Sequence, residues 1–358
     1  MKILYGIQGT GNGHITRARH MASALSSRRD ITVDYFFSGR DKNAYFDMAT
    51  FGDFTCARGL TFVTQNGRID YHKSVTQNNL FNFVNEIKSV IIKEYDLVIN
   101  DFEPVTAWAA KKAGVPSLSV SHQAAFLHHV PKHKQGMFDK FITRYFAPTK
   151  HSLGTHWYHF GYDIIPPFVP KELIEKADDS RISEDVLVYL PFENPAEISE
   201  QLHFLSDYKF ICHHPDVSER SIDKNVEWRP LSTHSFKQTL GHCSGVISNC
   251  GFELSTECLS LGKPLLVKPL ARQYEQLSNA FTLQELGASH VMHQLDSEAI
   301  DDWLQQRASV KIEYPTNCDL LIDWIANGDW ENPSEIRKKL WESVKFPAQV
   351  RQRLLNFA

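Results

Sequence analysis

His14 closes the run Gln8-Gly9-Thr10-Gly11-Asn12-Gly13-His14, which follows a short apolar stretch and precedes the helix formers Ile15 to Ala22. A histidine at the mouth of such a turn can take a proton near neutral pH from a hydroxyl within hydrogen-bond reach, which makes His14 a candidate general base. It needs an orienting carboxylate. Asp101 and Glu103 follow the apolar segment Asp96–Asn100, and either could hold the imidazole tautomer or instead cap the next helix. The alternating glycines let the backbone turn tightly and approach a ligand, while the free N–H groups of a helix start favour an anion. Thr10, Gly11 and Gly13 are therefore candidate phosphate contacts, and a plain strand-to-helix turn is the other reading. A dinucleotide fingerprint is disfavoured: His14 occupies the third glycine position, and the second strand ends Phe36-Phe37-Ser38-Gly39 without an acid for a ribose. Gly262-Lys263 runs into Pro264 and lacks the glycine loop and hydroxyl of a nucleotide P-loop.

A second constellation runs from Trp228-Arg229-Pro230-Leu231 through Ser248-Asn249-Cys250-Gly251-Phe252-Glu253 and Glu257 to Gln273-Tyr274-Glu275-Gln276. It reads as a strand, a glycine turn at a helix start, a carboxylate further along that helix, another strand and a polar cluster. That layout suits a nucleoside diphosphate, with amides for phosphate, a carboxylate for ribose hydroxyls and side chains for a sugar.

These two segments resemble the GT-B glycosyltransferases, closest to the MurG-like branch and the UDP-glycosyltransferases. Trp228-x-Pro230, Asn249-Cys250-Gly251-Phe252, Glu257 and Glu275-Gln276 match the donor signature W-x-P-Q, H-C-G-W-N-S-x-x-E and D-Q, and the opening turn is similar to G-G-T-G-G-H. The resemblance implies that Gly251 and its helix start receive the diphosphate, Glu257 the ribose, Glu275 and Gln276 the sugar, and that Trp228 lies against the base. Asn249 replaces a phosphate-contacting histidine, Leu231 a glutamine, and Glu253 a small polar residue. A carboxylate at Glu253 would repel a diphosphate unless turned away.

Retaining enzymes of the family carry two glutamates eight positions apart, and eight before Glu257 stands Asn249. Together with His14, this favours inversion by single displacement through an oxocarbenium-like state. The implied function is metal-independent transfer of a sugar from a nucleotide sugar, a UDP-sugar first, to a hydroxyl acceptor that is lipid-linked or part of an envelope glycan. A UDP-sugar 2-epimerase of the same fold and a non-catalytic nucleotide-sugar-binding protein are the alternatives. No cofactor is expected and no Asp-x-Asp pair occurs; Pro131 breaks the helix that His129 and His133 would need to share a metal.

Positioning these groups requires two α/β units. Short β-rich runs alternate with stretches of helical period, first at Lys2–Ile7, Ile31–Phe37, Asp96–Asn100 and Pro116–Ser121. The pattern restarts at Asp185–Pro191, Tyr208–His213, Val226–Trp228, Gly245–Ser248, Pro264–Lys268 and Ser289–Met292. The proline-rich connector Ile164 to Pro170 places the boundary between residues 165 and 166, with a second domain over 166–334 and a helical tail, about 335–358, returning to the first. Two Rossmann-like domains would then face each other across a central cleft, with strand carboxyl ends meeting there.

The 358 residues are enough for two cores. A net charge of −4, from 38 Lys+Arg against 42 Asp+Glu, gives no basic excess for nucleic acid. The six cysteines show no C-x-x-C spacing and are expected to be reduced and mostly buried. No apolar run reaches the length of a membrane span and none at the start suits a secretory signal, so a cytoplasmic protein, at most peripheral to a membrane, is expected. Gln123 to Lys150 interleaves Phe126, Leu127, Met137, Phe138, Phe141, Ile142, Tyr145 and Phe146 with Lys132, Lys134, Lys140, Arg144 and Lys150. It would either face anionic lipid or a lipid-linked acceptor, or pack its apolar stripe on the sheet. His122, His128, Asn78 and Asn79 are candidate linings of the acceptor side.

Overall fold

The structure, a computed structural model, describes residues 1–61, 64–65, 68–69, 78–176 and 183–357. Its first sheet contains β1 (Lys2–Gln8), β2 (Thr32–Ser38), β3 (Phe54–Ala57), β4 (Leu97–Asp101), β5 (Ser117–Ser121), β6 (His151–Thr155) and β7 (Ile164–Ile165), in the order β3-β2-β1-β4-β5-β6-β7. All its pairings are parallel. Parallel strands need covering on both faces, and alternate residues of β1 serve each side. Ile3, Tyr5 and Ile7 join one apolar core, while Leu4 joins another with Phe36, Val98 and Val105.

The second sheet contains β8 (Val186–Tyr189), β9 (Phe210–His213), β10 (Ser221–Asp223), β11 (Val226–Arg229), β12 (Gly245–Ser248), β13 (Leu265–Val267) and β14 (His290–Val291), in the order β10-β11-β9-β8-β12-β13-β14. Only β10 runs antiparallel, paired with β11 at the edge. Both sheets reverse their order beside the first strand of the unit, and such a reversal opens a crevice at the carboxyl ends of the strands.

Three helices come first in the first half. They are α1 (Asn12–Ser26), directly after β1; α2 (Leu80–Ser89); and α3 (Pro104–Ala113), directly after β4. After β5 comes the short α4 (His122–Ala125), and then α5 (Met137–Tyr145). In the second half, α6 (Lys171–Lys176), α7 (Pro195–His203), α8 (Thr233–His242), α9 (Phe252–Leu261), α10 (Tyr274–Glu285) and α11 (Ser297–Gln305) cover the sheet.

The chain then crosses back earlier than the sequence suggests. In α12 (Asp319–Asn327), assigned above to the second domain, Leu321, Ile322 and Ile325 are buried in the first core with Ile3 and Met21. The expected tail is two helices that part company. Ile336 and Leu340 of α13 (Ser334–Glu342) join the first core, whereas Val350 and Leu354 of α14 (Ala348–Leu354) join the second. Trp157 also packs in the second core, ahead of the proline connector. Among the described residues no helix is long and apolar enough to cross a membrane, and all six cysteines are free, five of them buried.

Candidate active site

A cleft of about 1650 Å³ separates the halves, and both constellations open into it. β1 delivers the glycine turn to its floor, and α1 begins at Asn12 with Gly11 as N-cap. α9 begins at Phe252 with Gly251 as N-cap. Neither cap residue makes a side-chain hydrogen bond, and a Cβ at either glycine would meet no atom within 4 Å. Two helix N-termini thus face the cleft across open space, each with unshared N–H groups suited to an anion. Gly13 serves differently. A Cβ there would stand 3.3 Å from the Glu253 side chain, so the glycine lets the two helices approach.

His14, with its side chain 15 % exposed, reaches Asp101 with Nδ1 at 2.9 Å from Oδ1. Asp101, at the end of β4, is completely buried. Arg17 lies one turn beyond His14 and grips the same carboxylate twice, Nε to Oδ2 at 2.9 Å and Nη2 to Oδ1 at 2.7 Å. Burial pushes the Asp101 carboxyl up, but the charges of Arg17 and His14 outweigh it and hold the group below its usual value. The third guanidinium nitrogen of Arg17 crosses to the second half and pairs with Glu253 in the first turn of α9. Glu253 is raised by burial, with Arg17 opposing. The carboxylate expected to repel a diphosphate is thus turned toward a cation.

Of the two candidate partners for His14, Glu103 is excluded. It is fully buried and caps α3, accepting from Val105 N at 2.8 Å and Thr106 N at 2.7 Å, and it also accepts the hydroxyls of Ser38 and Thr106 at 2.6 Å each. Phe102, between the two acids, has φ +56° and stacks on Phe146 with ring centroids 4.8 Å apart. That left-handed residue turns Asp101 toward His14 and Glu103 toward the start of α3, and a non-glycine residue held there stores strain at the site.

On the donor side, Asn249, Gly251, Phe252, Glu257, Glu275 and Gln276 all line the cleft. Glu257 is buried, accepts no hydrogen bond among the described residues, and is raised by burial to about 7, with Lys237 opposing. Asn249 gives its amide to Lys268 O at 2.9 Å and keeps a buried, unpartnered Oδ1, so as placed it offers an acceptor where a donor was expected. Gln276 accepts from Leu270 N, and Glu275 accepts from Gln123 Nε2 of the first half at 2.9 Å.

Two expected contacts are absent from the cleft lining. Trp228 packs in the second core with Val188, Phe210 and Met292, because its side of β11 faces inward. Cys250 is fully buried among apolar side chains. Tyr189, Leu231 and Phe236 line the cleft instead. Thr10 lines it too, although its hydroxyl is engaged by Gln8 at 2.7 Å and Thr61 at 3.0 Å.

The proposed acceptor residues also divide. Asn78 holds the backbone of Thr61, Asn79 caps α2, and His128 stacks on Tyr162. His122 is buried, bridges Thr155 O and Asn279, and stacks on Phe252 with centroids 3.9 Å apart. It therefore joins the two halves. Among the described residues, no three His, Cys, Asp or Glu side chains are grouped to hold a metal ion.

Arg17 and the structural use of Glu253 were missed by sequence reasoning. The available signal was the i,i+3 spacing of His14 and Arg17, which places both on one face of a helix.

The model for glycosyl transferase family 1 matches residues 1–307. The chain belongs to that family. No curated protein matches it. Among solved structures, the glycotransferase of kitacinnamycin is similar at 14% identity and a TM-score of 0.56, over 99% of this chain and 98% of that one. MurG of Acinetobacter baumannii is similar at 13% identity and a TM-score of 0.54, over 86% and 90%. UGT2 of Phytolacca americana, complexed with UDP-2-fluoroglucose and pterostilbene, is similar at 12% identity and a TM-score of 0.53, over 85% and 89%. The protein is thus a glycosyltransferase with the GT-B fold, two α/β halves across a cleft.

Proposed function

We propose that this glycosyltransferase inverts the anomeric centre of a UDP-sugar as it transfers the sugar to a hydroxyl acceptor, with His14 as general base. The observation that carries this reading is the hydrogen bond between His14 Nδ1 and Asp101 at the mouth of α1, opposite the uncapped N-terminus of α9. Nδ1–H donates to Asp101, so the lone pair of Nε2 is left to take the acceptor's proton. As the acceptor oxygen attacks the anomeric carbon, the bond from that carbon to the diphosphate breaks. The departing charge is met by the N–H groups at the starts of α9 and α1. Asp101 stabilises the imidazolium that forms, and no step requires a metal.

Glu257 suits the ribose: a buried carboxylate without a protein donor has capacity for two hydroxyls. The base would lie near Leu231 and Phe236, since Trp228 is turned into the core. UDP is favoured because the structurally similar UGT2 of Phytolacca americana is a complex with a UDP-sugar analogue.

For the acceptor side, α5 has no buried residue. Met137 is 91% and Phe141 58% exposed, beside Lys140 and Arg144, while Ile142 lines the cleft. An exposed apolar face flanked by cations at the cleft mouth suits a lipid-linked acceptor drawn from an anionic membrane surface. It also favours transfer over epimerisation, which needs no second substrate.

The test is a pair of measurements. UDP should raise the melting temperature more than ADP, GDP, dTDP or NAD do, because a ligand of the folded state stabilises it. His14→Ala should cut turnover of the UDP-sugar by about 10²–10⁴-fold while keeping the UDP shift. Undiminished turnover would remove His14 as base, and a larger shift with another nucleotide would replace UDP.

A further inference from the structure

The pairing of His14 with Asp101 does not balance electrically by itself. A neighbouring cation opposes an imidazolium, which a carboxylate favours by its negative charge. Here Arg17 matches it, with two hydrogen bonds of 2.9 and 2.7 Å to a fully buried carboxylate. Arg17 and Asp101 together are neutral. The remaining negative charge comes from the other half of the molecule, where Glu253 pairs with the same guanidinium. Arg17, Asp101 and Glu253 together carry one net negative charge, enough to match an imidazolium. Among the described residues, the charged groups set against His14 are Asp101 from β4, Arg17 from its own helix and Glu253 from α9. Tyr5, beneath Asp101 and Arg17, is kept neutral by burial, which raises its phenol well above the ordinary value.

We propose that Glu253 is a positioning residue for the base: reaching from the donor-side helix, it pairs with Arg17 and offsets the guanidinium charge that opposes the imidazolium stabilised by Asp101. That charge arrives from the other half of the molecule. Gly13 permits this approach, with its Cβ position 3.3 Å from the Glu253 side chain. The inference rests on the reading of His14 as base, but it can be tested without substrate.

The experiment is a pH titration of His14 by NMR in the full ligand-free chain with labelled histidine, the His14→Gln variant assigning the signal. Glu253→Gln keeps the shape and removes the charge, so the His14 midpoint should fall by about one pH unit, the order expected for a nearby charge. Glu253→Asp, which restores the charge, should recover most of that shift. An unmoved midpoint in a folded Glu253→Gln protein overturns the proposal, as does an equal shift in Glu253→Asp, since the effect would then be one of shape. If Glu253→Gln does not fold, the decision passes to Glu253→Asp, whose midpoint must stay within a few tenths of a unit of the parent's while Glu253→Ala falls. Failure here leaves the reading of His14 as base standing. That reading fails separately, if His14→Ala keeps its turnover.

Discussion

Glu257 is a carboxylate kept from water with no hydrogen-bond donor among the described residues to hold its charge, and burial lifts it from 4.5 to about 7. The folded chain therefore holds this proton more tightly than the unfolded one. The resulting stabilisation is full below pH 4.5 and is lost as the pH rises through about 7, a difference of order 3 kcal/mol. Glu257→Gln, which is neutral at every pH, should melt higher than the parent at pH 8 and nearly together with it at pH 4. A gap of equal size at both values would show that the carboxyl is not perturbed. His14 and Asp101 were legible in the sequence because one stands at the start of a helix and the other at the end of a strand, whereas Glu257, inside its helix, was marked only by the family resemblance. Arg17 and Glu253 were not, since residues 236 positions apart meet only through the packing of two helices. Choosing between Asp101 and Glu103 also lay beyond the sequence. Both acids follow one strand, and the left-handed Phe102 sends them opposite ways.

At the level of elements, the role of Glu103 is that of a cap. Glu103→Ala removes the acceptor for two N–H groups and two hydroxyls in a buried place. It should cost about 1–3 kcal/mol of unfolding free energy by denaturant titration, with little change in turnover. A variant that is fully stable but inactive would return Glu103 to the chemistry. α5 makes a different prediction, because its apolar residues face solvent. Met137→Ser with Phe141→Ser should leave the melting temperature within a degree or two and weaken co-sedimentation with phosphatidylglycerol vesicles. Unchanged sedimentation would remove the membrane from the acceptor reading. The central strands were readable as apolar β-rich runs, each observed within two residues of its expected ends. The edge strand β3 and the inner strand β6 escaped because Phe54-Thr55-Cys56-Ala57 and His151-Ser152-Leu153-Gly154-Thr155 are too polar or too small to stand out. Ile164–Ile165 adds a short strand where prolines suggested only a connector.

Across the whole molecule, the two halves are not separate in sequence. Leu321, Ile322 and Ile325 of α12, with Ile336 and Leu340 of α13, complete the core built on β1, and Val350 and Leu354 complete the other. Residues 1–165 alone should therefore show no cooperative thermal transition. A chain joining 1–165 to 316–343 through a flexible linker should regain one, as followed by calorimetry. Cooperative melting of 1–165 by itself would make the late helices an accessory. Pattern reading gave two domains, their order and a returning tail, but neither the earlier crossing at α12 nor the placement of α14 in the second core, because a helix carries no mark of which core its apolar face will meet.

The return of α12 and α13 also bears on how the protein is made. A nascent chain emerging from the ribosome would expose the unfinished first lobe, Ile3 and Met21 included, throughout synthesis of the second. Completion must wait for residues beyond Cys318, so His14 is born early and acquires a settled surrounding among the last events of translation.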